Sequence, residues 1–165
     1  MNTKHLSIFL RVAVFMVVFI IAMYKRKDKK IEQKEQFDDI KLEDLDGLLE
    51  KLTQHKLDFE FVGIRTNSLD CIYFVHKNGK ISIEYEVLEE EQLLIAKQLK
   101  TFAENKGSKV VQTTYGNKTH YDPEKVAPVF QYFSNLTIQE ATDLGTDIMK
   151  TIFNKKIDDF FDIIP

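Results

Sequence analysis

Two acidic side chains at alternating positions of one strand-like run are the first residues here that could do chemistry. Glu84 and Glu86 lie in the run KISIEYEVL, and the preceding run CIYFVHK carries Tyr73. Side chains two positions apart share a face of a strand, so both carboxylates point the same way. Such a pair can act as acid and base where the surroundings separate the two pKa values. Exposed acids on a strand more often provide solubility than catalysis. If these residues have a function, we therefore expect Glu84, Glu86 and Tyr73 to form an interaction surface rather than an active site.

Other residue types suited to chemistry are scattered. His76, His120 and Asp122 could bind a metal, but no His-x-x-x-His or Cys-x-x-Cys spacing places two ligands on one element. The single cysteine, Cys71, lies among apolar strand residues, where a free thiol is usually a small buried side chain. A nucleophilic role would require a histidine close in space. The six glycines never cluster, so a phosphate-binding loop is not expected. We predict no catalytic, cofactor-binding or metal-binding residue.

A β-hairpin is the clearest element that positions these side chains. The runs Cys71–His76 and Lys80–Leu88 flank Asn78-Gly79, the preferred pair for a type I′ turn. A two-residue loop sets the register, so His76 should face Ile81. The residues expected on the core face are Ile72, Phe74, Ile81, Ile83, Tyr85 and Val87. The residues expected on the opposite, polar face are Tyr73, Ser82, Glu84 and Glu86.

The remaining pattern predicts an α+β domain with an antiparallel sheet of about four strands, packed by helices on one face. Helices are expected at about 41–56, at 89–107, from Asp122-Pro123 through Phe133, and after the capping box Thr137–Glu140; strands are expected at 57–61 and 108–115.

The chain ends in KKIDDFFDIIP, where Phe160 and Phe161 stand among acids. Two interpretations remain open for this tail. It could be the last helical turn, docked on the core. Alternatively, it could be a short linear motif that inserts aromatic anchors into a groove of a partner protein.

A membrane span is predicted near the start of the chain. Leu6–Tyr24 is apolar except for Arg11, and about 19 residues at roughly 1.5 Å each reach across a hydrocarbon core about 30 Å thick. A small-x-small cleavage site does not follow it, which favours an anchor over a signal peptide. We therefore predict a short tail at 1–5, a transmembrane helix at 6–24, a charged linker at 25–37 and a soluble domain at 38–165.

The basic residues beside the span predict its orientation. Positively charged flanks tend to stay in the cytoplasm and also attract anionic lipid headgroups. Only Lys4 precedes the span, whereas the following residues include Lys25, Arg26, Lys27, Lys29 and Lys30. The C-terminal domain is therefore expected to be cytoplasmic.

Charge narrows the class of function. The net charge is −3, but seven of the basic residues lie in the first thirty positions, leaving 16 basic and 25 acidic residues, or −9, in the remainder. An acidic domain disfavours nucleic-acid binding. We predict a single-pass membrane protein whose domain binds an unidentified protein partner. The alternatives are a membrane-anchored enzyme of unrecognised type and an extracytoplasmic cell-envelope domain behind a signal anchor.

Overall fold

The computed structural model describes residues 39–164, which form an α+β domain with antiparallel β-structure and three α-helices. The predicted tail at 1–5, span at 6–24 and linker at 25–37, with its basic flank, lie outside the described residues. Within residues 39–164, none of the helices has the length and apolar character needed to cross a bilayer.

Six strands form the main sheet, and two short strands form a separate ribbon. The strands are β1 (Ile40–Lys41), β2 (Phe61–Arg65), β3 (Cys71–Lys77), β4 (Lys80–Glu86), β5 (Val111–Thr113), β6 (Val129–Leu136), β7 (Phe160–Phe161) and β8 (Ile163–Ile164). The helices are α1 (Leu45–Thr53), α2 (Gln92–Asn105) and α3 (Ile138–Thr151), with a 3₁₀ turn at Leu42–Asp44 before α1. The main sheet has the order β5-β6-β4-β3-β2-β8, and β1 pairs with β7.

The predicted hairpin is confirmed in both its turn and its register. Lys77 pairs with Lys80, His76 with Ile81 and Phe74 with Ile83. Asn78 and Gly79 have φ values of 53° and 74°, the positive angles that a type I′ turn requires. All six residues predicted for the core face of the hairpin are buried.

The core lies between this inner face of the sheet and the buried faces of the helices. Leu45 and Leu49 of α1 and Ile148 of α3 are fully buried in the same cluster as Phe74. At Gly145 of α3, an added Cβ would lie 2.7 Å from Cζ of Phe74. The helix therefore packs so closely over β3 that only glycine fits this contact. The capping box is confirmed, since Thr137 Oγ1 accepts from Glu140 N–H and Glu140 Oε2 accepts from Thr137 N–H.

The predicted helix from Asp122-Pro123 through Phe133 is wrong, because this segment forms a turn followed by strand β6. Lys125 N–H donates to the Asp122 carbonyl at 3.0 Å, which closes a single turn, and the chain then becomes extended. Val129 pairs with Glu86 of β4. The register between β4 and β6 shifts beside Ile83. Because of that irregularity, apolar and polar residues do not alternate strictly along β6. Its apolar residues fit the spacing of a helix equally well, which explains the wrong prediction.

Other boundaries also differ from the prediction. Helix α1 is shorter than the predicted 41–56, and the strand predicted at 57–61 begins only at its last residue and continues to Arg65. The described sheet has six strands rather than about four, because β6 and β8 were not predicted as strands. The tail is not helical: Phe161 pairs with Ile40, and Ile163 pairs with Ile64.

Candidate functional site

The predicted interaction residues Tyr73, Glu84 and Glu86 lie on the outer face of the main sheet. This face points away from the core that contains Phe74 and Ile83. Tyr73 of β3 lies directly opposite Glu84 of β4, and Glu84 lies directly opposite Gln131 of β6. The three strands therefore place a tyrosine, a carboxylate and an amide in one row. Sequence reasoning brought Tyr73 and Glu84 together but missed Gln131, since β6 was taken for a helix.

Burial of the acids on this face corrects the expectation of an exposed acidic patch. Glu84 and Glu86 are each only 6% exposed, and Ser82 is 8% exposed. The cover comes from the segment after β5. Tyr115 Oη donates to Glu84 Oε2 at 2.5 Å, and Asn117 Nδ2 donates to Glu86 Oε1 at 2.9 Å. The two carboxylates thus hold this segment down on the sheet.

Glu84 is the centre of a hydrogen-bond network. Its Oε1 accepts from Ser82 Oγ at 2.7 Å and from Gln131 Nε2 at 2.9 Å, in addition to the bond from Tyr115 to Oε2. Three donors compensate a buried carboxylate for lost hydration. Burial and the neighbouring Glu84 raise the pKa of Tyr115, so its hydroxyl remains a neutral donor. The three hydrogen bonds therefore fix the position of the Glu84 side chain.

Glu86 has fewer partners than Glu84. Burial raises the pKa of the Glu86 carboxyl above its usual range, and the Asn117 hydrogen bond and the nearby His120 offset this only in part. His120 itself lies on an exposed loop, with its Nδ1 2.6 Å from Glu89 Oε1. Burial therefore disfavours the ionised form of Glu86.

Four aromatic side chains form a row across the outer face. The ring centroids of Phe59 and Phe61 are 5.8 Å apart, those of Phe61 and Tyr73 are 6.1 Å apart, and those of Tyr73 and Tyr115 are 6.3 Å apart. These distances are typical of interacting aromatic pairs. Phe59 and Tyr115, at the two ends, are each 46% exposed. The row therefore presents aromatic surface that a partner could cover.

A groove of about 660 Å³ lies on the same face. We call it the outer groove; its lining includes Val75, Lys77, Lys80, Ser82, Glu84, Val111, Thr113, Tyr115, Gln131 and Ser134. The volume lies within the roughly 300–1,000 Å³ typical of ligand-binding clefts. Lys77 and Lys80 flank the hairpin turn, and neither forms an ion pair with another of the described residues. The groove thus combines apolar walls and a polar floor with two basic side chains.

Cys71 lies on the outer face near Tyr73 but is not exposed. It is 7% exposed, and burial raises the pKa of its thiol to about 12. A thiol with this pKa stays protonated at neutral pH and is a poor nucleophile. Gly63 makes room for it, because a Cβ at that position would lie 2.6 Å from Cys71 Sγ.

The candidate metal ligands are not brought together. His76 is buried beside the ring of His55, at a centroid distance of 5.1 Å, and its Nε2 has no hydrogen-bond partner among residues 39–164. Asp122 instead forms an ion pair with Lys125 at 3.0 Å. Across residues 39–164, the structure has no group of three or more His, Cys, Asp or Glu side chains that could hold a metal ion.

The two tail phenylalanines have different environments. Phe161 is 3% exposed and belongs to the core, whereas Phe160 is 65% exposed. Lys41 Nζ lies 5.6 Å from the centroid of the Phe160 ring. Of the two, only Phe160 presents its side chain to a partner in this conformation.

Comparison with known proteins gives no relative: no family model, no curated protein and no solved structure matches this chain. The outer groove, the aromatic row and the buried acids are therefore the basis for a functional proposal.

Proposed function

We propose that this chain is a single-pass membrane protein whose acidic α+β domain binds another protein through the outer groove. The groove itself is the observation that carries the proposal. It is large enough to take several side chains of a partner, and the exposed ends of the aromatic row lie on the same face of the sheet. Anchoring by residues 6–24 would raise the local concentration of the domain and allow weak contacts to matter.

The lining favours a partner segment with both acidic and apolar side chains. Lys77 and Lys80 supply positive charge at the hairpin end of the groove, although residues 31–165 carry a net charge of −9. Val75 and Val111 offer apolar contacts, and the exposed Ser134 offers a polar contact. An acidic side chain of the partner would be attracted to these two lysines, whereas the net negative charge of the domain would repel it elsewhere.

Two observations support binding over catalysis. Glu84 already accepts three hydrogen bonds, and the raised pKa of the Cys71 thiol keeps it protonated. Glu84 is held in place by these partners, and the protonated Cys71 thiol is poorly suited to attack a substrate.

Site-specific photo-crosslinking of the full chain in the cells that express it tests this proposal. A photoreactive residue replaces Ser134 in the groove, and the control replaces Thr101, which is exposed on α2. We expect a crosslinked partner at position 134 and none at 101. Combining Lys77→Glu with Lys80→Glu should reduce the yield about tenfold, as two charge contacts of about 0.7 kcal/mol each would predict.

The control for charge is the pair Lys97→Glu and Lys150→Glu, which changes two exposed lysines outside the groove. It should leave the crosslink unchanged. Equal capture from positions 134 and 101, or a crosslink that the Lys77 and Lys80 changes do not affect, would contradict binding through the outer groove.

A further inference from the structure

The segment Val110–Tyr115 has the composition of a strand that is meant to be paired. Its sequence, VVQTTY, contains no charge, proline or glycine. It includes β5, the terminal strand of the main sheet, and residues 111–115 are all exposed. β5 pairs with β6 on one side, and in the described part of the chain no strand pairs with its other side.

Edge strands present free N–H and C=O groups, and proteins usually protect them with a lysine, a proline, a bulge or a covering element. Residues 110–115 contain neither a lysine nor a proline. Uncharged six-residue segments rich in β-branched residues are also those that pair most readily with another strand. The opposite edge of the sheet differs, because β8 has only two residues.

We infer that β5 pairs with β5 of a second copy of this chain, antiparallel and about a two-fold axis at Gln112. A second copy is the partner that we propose because residues 110–115 are uncharged, so two such segments can pair without placing like charges opposite each other. With the axis at Gln112, Val111 lies opposite Thr113, and Lys109 of one copy lies opposite Tyr115 of the other, a cation beside an aromatic ring. Such an interface is closed, so it forms a dimer rather than a fibre.

The overall charge gives this contact a diagnostic salt dependence. Two domains that each carry about −9 repel one another, whereas the paired segments are uncharged. Added salt shortens the screening length, from about 14 Å near 0.05 M to about 8 Å near 0.15 M. Salt should therefore strengthen self-association.

Disulfide trapping in the full chain, in the membranes of the expressing cells, tests the pairing. Residues directly opposite in an antiparallel pair have Cβ atoms about 4.5–5.5 Å apart, close to what a disulfide needs. On oxidation, Gln112→Cys should give a covalent dimer. Gln98→Cys, at an exposed glutamine on α2, should not.

A lysine at the edge supplies the second variant. Thr113→Lys places two extra positive charges in the interface and should lower the Gln112→Cys dimer yield about tenfold; Thr101→Lys should leave it unchanged. Raising the salt from about 0.05 M to about 0.5 M should increase the yield. The inference is overturned if Gln112→Cys gives no dimer, if Gln98→Cys gives as much, or if Thr113→Lys has no effect.

Discussion

At the scale of single residues, Glu84 shows how an acid becomes a buried part of the outer face of the sheet. It is buried, yet Ser82, Gln131 and Tyr115 each donate a hydrogen bond to it. These donors come from three separate parts of the chain. Glu84 therefore fixes the floor of the outer groove and the segment after β5 together.

Glu84→Ala tests that role. Removing the carboxylate leaves donors without an acceptor, which costs about 1–3 kcal/mol for a buried group. We expect the free energy of unfolding of the full chain, followed by tyrosine fluorescence in urea, to fall by about 2 kcal/mol. The exposed Glu90→Ala should change it by less than about 0.5 kcal/mol. A loss at Glu84 as small as that at Glu90 would contradict the network.

Glu86→Gln tests the effect of burial on the neighbouring acid. The folded-state pKa of Glu86 is raised by burial, so the stability that its protonated form provides is lost as pH rises through that pKa. Glutamine stays neutral and can still accept from Asn117. We expect Glu86→Gln to raise Tm at pH 7, with a gain that shrinks towards zero as the pH falls below about 4. A Tm gain that does not change with pH would argue against this cause.

The sequence predicted the register of these residues but not their burial. Asn78-Gly79 determines which residues of β3 and β4 face each other, and that local rule identified Tyr73 and Glu84 correctly. The cover over Glu84 comes from Tyr115, 31 residues along the chain. No local pattern predicts such a contact, so the acids were expected to be exposed.

At the scale of elements, the errors fall where local patterns were ambiguous. Thr137 and Glu140 form an explicit capping signal, and α3 begins where they predict. In β6 the same kind of reasoning failed, because Asp122-Pro123 resembles a helix start and the register shift beside Ile83 disturbs the alternation. The strand containing β5 was predicted, but its place in the sheet depends on β6, so the side of the outer groove that β5 and β6 form could not be predicted.

Two helical glycines give a matched test of how closely the helices pack. An added Cβ at Gly47 of α1 would meet no atom of residues 39–164 within 4 Å apart from its chain neighbours and the backbone of its own helix, whereas at Gly145 of α3 that Cβ would lie 2.7 Å from Phe74 Cζ. Gly47→Ala should raise the free energy of unfolding by about 0.5–1 kcal/mol through helix propensity. Gly145→Ala should lower it by about 1–3 kcal/mol through overpacking. Urea unfolding measures both, and a stabilising Gly145→Ala would contradict the described packing.

At the scale of the whole molecule, the proposal joins a predicted anchor to a described domain. The basic residues flanking the predicted span favour a cytoplasmic domain. The acidic domain carries a groove with two lysines at one end and an unprotected strand edge nearby. On a membrane surface, weak contacts at either place would be strengthened by the high local concentration. The proposed partner and the proposed second copy would then act on the same side of the membrane.

The central claim is that the chain holds this domain at the cytoplasmic face of a membrane, and a dual-reporter topology measurement tests it most directly. A fluorescent protein and, separately, alkaline phosphatase are fused after Pro165 and expressed in bacterial cells. We expect membrane-bound fluorescence without phosphatase activity, and we expect the membrane association to be lost when residues 6–24 are deleted. Phosphatase activity would place the domain outside the cytoplasm, and fluorescence that is soluble with the full chain intact would show that no anchor exists.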